Sequence, residues 1–240
     1  MSTIPRIKLC PLYLQARDVF VERIKSGNWK PGALIPNEVE LSRELAVSIG
    51  TVRKALEVLE REHLITRQQG RGTFVRDPRT DAGKGRFNPI CGPDGTPVST
   101  QSRLVEVKLD SPTNDERAAL RLQDCEQIIR VDRVKLHRNR PIAFERVCLP
   151  VQRFAPLSQA KDLPDDVEQV AVQHGVLLGH AKGRLTAQPA CAVVSTALRL
   201  PAAAPVLVYE RLVFDTDDHP VEQMVAFYAL EDEYCRLDSV

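Results

Sequence analysis

Ser48, Thr51, Arg53 and Lys54 fall within one short stretch, and Gln69, Gly70, Arg71 and Gly72 follow a little further on. Hydroxyls and cations gathered at the start of one helix can reach base edges and phosphates of duplex DNA. Gln and Arg on a glycine-rich tip can come close to a minor groove. Such chemistry fits two short helices set across a tight turn with a hairpin beside them, an arrangement in which the second helix enters the groove and the first crosses the backbone.

Those elements are legible around the residues. The stretch Leu12 to Lys25 is apolar at Leu12, Ala16, Val19, Phe20 and Ile24, a helical period, and Ser26-Gly27 ends it. Asn37 with Glu40 has capping-box spacing and predicts a second helix reaching Leu45. Ala46-Val47 form the turn. Ser48 caps a third helix with its buried stripe at Val52, Ala55, Leu56 and Leu59, leaving Ile49, Arg53, Lys54 and Glu57 on the other face. Residues 65–68 and 73–76 read as two strands around the 69–72 tip. The charge distribution agrees. The whole chain of 240 residues has a formal net charge of +1, yet residues 1–80 hold 14 Lys/Arg against 9 Asp/Glu, and residues 81–240 hold 19 against 23. The basic excess sits on the segment that would touch phosphate.

Residues 77–95 contain four Gly and three Pro, and no hydrophobic period survives there, which predicts a linker. Beyond it lies an internal repeat. ALRL at residues 119–122 recurs at 197–200, and IIRVDRV (128–134) then matches VLVYERL (206–212) at the same offset, setting Arg133 opposite Arg211. RPIAFE (140–145) matches HPVEQM (219–224) after one inserted residue. Each copy reads as a short helix, a strand, a polar turn (137–140; 215–219) and a return strand. Two copies predict a pseudo-symmetric antiparallel sheet with helices on one face, an α+β architecture. Arg133 and Lys135 share a strand face because side chains repeat every two residues. Arg133 and Glu145 become neighbours across the hairpin.

Other chemistry is thin. The six cysteines include no CxxC pair and read as reduced core residues. The five histidines lack ligand spacing, so no metal and no cofactor are expected. Phosphate-loop, HExxH, GxSxG and dinucleotide motifs are absent, which argues against an enzyme. No signal peptide or membrane-length apolar run is evident, so a cytoplasmic protein without membrane contact is expected.

Residues 10–76 resemble the winged helix-turn-helix of GntR-type bacterial transcription regulators. The resemblance is carried by Pro11-Leu12-Tyr13, Pro31-Gly32, Ile35-Pro36-Asn37-Glu38, Leu41-Ser42, the run from Gly50 to Leu56, and the run from Gln69 to Val75. Residues from about 97 onward resemble the effector-sensing UTRA domain of the HutC subfamily, with its chorismate-lyase-like fold, through PIAFERVCLP (141–150) and the segment 215–223. The resemblance implies a winged helix-turn-helix over 1–77, a linker over 78–95 and an effector-binding, dimerising UTRA domain over 96–240. It implies a homodimeric repressor on double-stranded operator DNA, controlled by a small metabolite with an anionic end. It places DNA contacts at Ser48, Ile49, Thr51, Arg53, Lys54 and the 69–72 tip. It places effector contacts at Arg133, Lys135, Glu145, Glu222 and Tyr228, with Ser102 and Arg103 closing the site. The chain departs from the family at Val39 and Ile49, where arginine is usual, which implies a different operator, Ile49 touching a thymine methyl. Two rivals stand beside this reading: a lyase-like enzyme with an appended DNA-binding domain, and an architectural DNA binder that answers to no ligand.

Overall fold

The computed structural model describes residues 10–77, 86–159 and 166–236. It divides into two units, Met1–Gly83 and Lys84–Val240, so the chain passes from one to the other inside the segment expected to be a linker.

In the first unit, α1 (Leu12–Lys25), α2 (Glu38–Leu45) and α3 (Ile49–Arg61) precede a hairpin of β1 (Ile65–Gln68) and β2 (Gly72–Val75). The Asn37 side chain accepts from Val39 N and Glu40 N at 3.0 Å, and Glu40 Oε2 accepts from Asn37 N at 2.9 Å, so the capping box is formed. Between α2 and α3, Ala46 takes a left-handed conformation (φ 53°), and Ser42 Oγ donates to the Val47 carbonyl at 2.8 Å. The expected stripe is the buried one: Val52, Ala55 and Leu59 are fully buried, as are Phe20 and Leu41 from the other two helices. Burial contributes roughly 1.5–3 kcal/mol for each large apolar side chain, against about 1 kcal/mol for a cap. Packing therefore holds α3 in place, and the caps set where it begins. Trp29 stacks on Phe20 with ring centroids 5.3 Å apart, closing the end of this core. Ile35 N donates to Thr73 O and Val75 N to Ala33 O, so the irregular connection before α2 forms a third, short edge on the hairpin.

The second unit is built on a six-stranded antiparallel sheet. Its strands are β4 (Gln101–Asp110), β5 (Ile128–His137), β6 (Arg140–Pro150), β7 (Leu178–Pro189), β8 (Pro205–Asp215) and β9 (Pro220–Tyr228), in the order β4-β5-β6-β9-β8-β7. The order reads as two copies of one motif meeting at β6 and β9. The helices α4 (Asn114–Leu120) and α7 (Ala192–Leu198) end at Arg121 and Arg199, both left-handed, at φ 53° and 57°. Each copy thus includes a leading strand, β4 or β7, that the sequence reading had not placed in the repeat. The polar turns fall where expected. Arg138 and Asn139 take positive φ between β5 and β6, and Asp215 Oδ1 accepts from Asp217 N and His219 N to close the turn between β8 and β9.

Helices lie on both faces, not on one. The repeat helices pack with Val134, Phe144, Val206 and Val208 and with Ile128 and Cys148. The opposite face, with Ile129, Val131, Val147 and Met224, is covered by a segment that joins the two copies: α5 (Val151–Phe154), a 3-10 turn and α6 (Val167–Gln173). The periodicity of the repeat could not reveal this cover, because the joining segment has no counterpart in the other copy.

The expected linker also ends earlier than read. From Arg86 the chain belongs to the second unit: β3 (Ile90–Cys91) pairs with β10 (Tyr234–Cys235), and Ile90 and Cys91 are buried. Residues 78–85 lie outside the described residues.

Candidate nucleic-acid interface and effector pocket

On the first unit, Ser48 and Thr51 close the start of α3 together. Ser48 Oγ accepts from Thr51 N at 3.1 Å and lies 2.9 Å from Thr51 Oγ1. Arg53 projects into solvent, its Nε and one terminal nitrogen donating to Glu38 Oε2 at 3.0 and 2.9 Å. That carboxylate orients the guanidinium in the free protein. Lys54 leans the other way, its Nζ 4.3 Å from the centroid of the Tyr13 ring on α1. Ile49 and Val39 are exposed, so both side chains are accessible to a partner. At the hairpin tip, Arg71 N donates to Gln68 O at 3.0 Å, and Gly70 has φ 71°, a conformation that an L side chain would strain. Gln69 and Arg71 are both exposed there.

On the second unit, ionisable side chains converge on the covered sheet face. Arg133 and Glu145 are register partners, with Nε donating to Oε2 at 2.6 Å. The second copy repeats the pair: Arg211 donates from Nε and a terminal nitrogen to Glu222 Oε1 at 3.0 and 2.6 Å. The acid has shifted in register, since Glu222 stands across from Val213 and Arg211 across from Met224. A two-residue shift keeps the side chain on the same face. All four residues are buried, as is Lys135. Burial opposes ionisation of Glu145, but Arg133, Lys135 and Arg211 together outweigh it and hold its carboxyl below the ordinary range. Burial pushes the Tyr228 phenol up. Ser102 is the register partner of Lys135, and its buried Oγ has no hydrogen-bond partner among the described residues. Under α6, a cavity of about 20 Å³ is lined by Arg133, Glu222, Val131, Val147, Val167 and Val170. A roomier groove of about 690 Å³ opens at the β5–β6 tip beside Arg138, Arg140 and Arg199. The narrow cavity is the better candidate by its chemistry, because Arg133 and Glu222 line it and Lys135, Glu145 and Arg211 lie buried on the same sheet face.

The sequence was compared with known proteins. Residues 12–75 match the model of bacterial regulatory proteins of the gntR family, and residues 97–232 match the UTRA domain. The chain belongs to the GntR family of bacterial regulators and carries a UTRA domain. This GntR-UTRA chain is 27% identical over 207 residues to the HTH-type transcriptional repressor NagR of Bacillus subtilis (strain 168), covering 85% of this chain and 84% of that protein. It is 29% identical over 136 residues to the histidine utilization repressor of Pseudomonas putida, covering 56% of this chain and 55% of that one. Among solved structures, the possible transcriptional regulator YydK of Bacillus subtilis subsp. subtilis str. 168 superposes with a TM-score of 0.54 at 20% identity, covering 96% of this chain and 100% of that one, a likeness of fold. The protein is a DNA-binding transcription regulator with an effector-binding domain.

Arg133, Lys135, Glu145, Glu222 and Tyr228 of this regulator share one sheet face, and Ser102 joins them. Arg103 does not. It is exposed and stands across from Val134, whose side chain packs on the opposite face, because a strand turns each successive residue over. Two residues of this face were missed. Arg86 contacts the Leu178 and Gly179 carbonyls and lies 3.7 Å from Glu168 on α6. Arg86 sat in the stretch read as linker, and Glu168 sat in the unrepeated segment, so neither pattern marked them. Glu38, which fixes Arg53, was quoted only for the resemblance. Among the described residues no helix is long and apolar enough to cross a membrane.

Proposed function

We propose that the protein is a repressor that binds a palindromic operator as a homodimer and releases it when a small anionic metabolite enters the pocket under α6. The observation that carries the effector reading is the charge inventory of that face. Arg133, Lys135 and Arg211 lie buried beside Glu145 and Glu222, next to the Ser102 hydroxyl, which has no hydrogen-bond partner among the described residues. A ligand carrying an anion and hydrogen-bonding groups suits such a face, because the buried guanidinium and ammonium groups favour an anionic acceptor and the hydroxyl offers a further hydrogen bond. The names of the relatives, repressors in both cases, support the sign of regulation. Dimerisation follows from energetics: a single winged domain makes few base contacts, and a two-fold pair roughly doubles them. In this reading Ser48, Thr51, Arg53, Gln69 and Arg71 meet the DNA, Ile49 meets a thymine methyl, and the protein works in the cytoplasm.

The test is a thermal-shift screen of sugar phosphates, amino acids and aromatic acids, with each hit then titrated against protein bound to duplexes selected from a random pool. A stabilising anion that also lowers DNA affinity supports the proposal. Stabilisation by cations or neutral sugars alone, with DNA binding unaffected, removes it. Sedimentation of the full chain must show a dimer.

A further inference from the structure

Glu38 is the first residue of α2, and Arg53 lies one turn beyond Ile49 on α3. Glu38 Oε2 accepts from Arg53 Nε at 3.0 Å and from Nη2 at 2.9 Å. The Nε–Nη2 edge of the guanidinium is therefore occupied. Its other edge, formed by Nη1 and the second proton of Nη2, has no hydrogen-bond partner among the described residues. The Arg53 side chain is 57% exposed, so that edge is open to a partner from outside the chain. Glu57, one turn further along α3, attracts Arg53 through space without a hydrogen bond. Val39, beside Glu38, and Ile49, one turn before Arg53, are exposed and uncharged.

We propose that Glu38 determines operator specificity as a positioning residue, aiming the open edge of Arg53 at the O6 and N7 atoms of one guanine in the major groove. The proposal rests on the DNA-binding reading above and deepens it. Two parallel N–H donors match those two acceptors, and no other base offers two acceptors on its major-groove edge. A phosphate could also take two donors, and charge separates the two cases. Arg53 with Glu38 attached is close to neutral, so on a phosphate it would release few counterions and would set a carboxylate beside the backbone charge. A guanine edge is uncharged and meets no such repulsion. An arginine already held in one orientation also loses less freedom on binding than a mobile one. Glu38 thus acts twice. It fixes the fork for guanine, and its charge weakens attachment to DNA of any other sequence. The apolar neighbours fit the same reading. With no arginine at position 39 or 49, the guanine contact of Arg53 carries a larger share of the discrimination.

The experiment uses the full chain and a duplex that the wild type selects from a random pool. Each guanine of the half-site is replaced in turn by 7-deazaguanine, which keeps O6 but lacks the N7 acceptor, and affinity is read by fluorescence anisotropy. One such replacement should cost the wild type at least about fivefold, and should cost Arg53→Ala and Glu38→Gln less than about twofold. Glu38→Gln should weaken the selected duplex at least about fivefold while an unselected duplex binds as well as before or better. In an Arg53→Ala background, Glu38→Gln should weaken the selected duplex no further, because Glu38 acts through Arg53. Glu57→Gln removes a charge without touching the fork, and should keep the full penalty at the sensitive guanine. A wild type indifferent to N7 at every guanine overturns the proposal and needs no variant to do so. A folded Glu38→Gln that retains the full penalty also overturns it, as does one that weakens selected and unselected duplexes alike. Wild-type protein that selects no duplex at all would instead defeat the DNA-binding reading beneath it.

Discussion

Truncating Arg133 to alanine distinguishes a structural ion pair from an idle binding group. In the folded protein Arg133 and Glu145 are 8% and 6% exposed and 2.6 Å apart. Removing one partner of such a pair leaves a buried charge and costs about 3–5 kcal/mol. Lys135 and Arg211 still act on Glu145, so the lower end, about 3 kcal/mol, is expected. For a domain of this size that is a fall in Tm of about 6–12 °C. The pH dependence gives the sign. In the wild type the Glu145 pKa is depressed, so its contribution is present above the ordinary carboxylate value and fades as pH falls through the folded value. In Arg133→Ala the burial that opposes ionisation is less well offset, so the folded pKa rises. The penalty is then largest at neutral pH and shrinks as Glu145 takes up a proton. Thermal melts followed by circular dichroism at pH 7 and near pH 4 should show the gap between variant and wild type narrowing on acidification. The paired change Arg133→Met with Glu145→Leu should restore most of the stability, because no charge is left behind. A Tm within about 2 °C of wild type at pH 7, or a gap that widens in acid, would show that the guanidinium is not committed to Glu145.

Arg53→Ala should weaken operator binding at least tenfold and, if its contact is to phosphate, lower the salt slope by about 0.9 per DNA-binding head. Fluorescence anisotropy across a salt series reads both, and unchanged affinity in a folded variant would remove α3 as the reader. Glu116, hydrogen-bonded to Arg130, has its carboxyl held at about 2 against burial that opposes ionisation. Its stabilisation is therefore complete above the usual carboxylate range and is lost as pH falls toward 2; discounted for partial solvent access, it amounts to about 1–2 kcal/mol. Urea melts of Glu116→Gln should accordingly be less sensitive to acid than those of wild type. Gly183→Ala would set a Cβ 2.5 Å from the Tyr209 ring, which is itself buried, and should cost about 1–3 kcal/mol in a denaturant midpoint experiment.

The sequence by itself determined the elements whose cause is local. Asn37 with Glu40, Ser48 and the stripe from Val52 to Leu59 mark their helices by capping chemistry and by a period that any amphipathic helix must show. The hairpin pairing Arg133 with Glu145 followed from strand alternation and the polar turn between them, a short-range count. The repeat foretold two hairpins but not which strands meet, and only the fold brings β6 against β9 and Arg211 onto the face of Arg133. Tertiary structure also decided which side of β4 each residue takes. That choice put Ser102 on the face of Lys135 and turned Arg103 to the other, because a strand's register depends on its neighbour and not on its own composition. Arg86 and Glu168 lie far apart in a Gly-rich stretch and an unrepeated helix, where no period links them. Their proximity arises from packing α6 and the segment that begins at Arg86 onto one unit, a long-range event that leaves no mark on the residues beside either one.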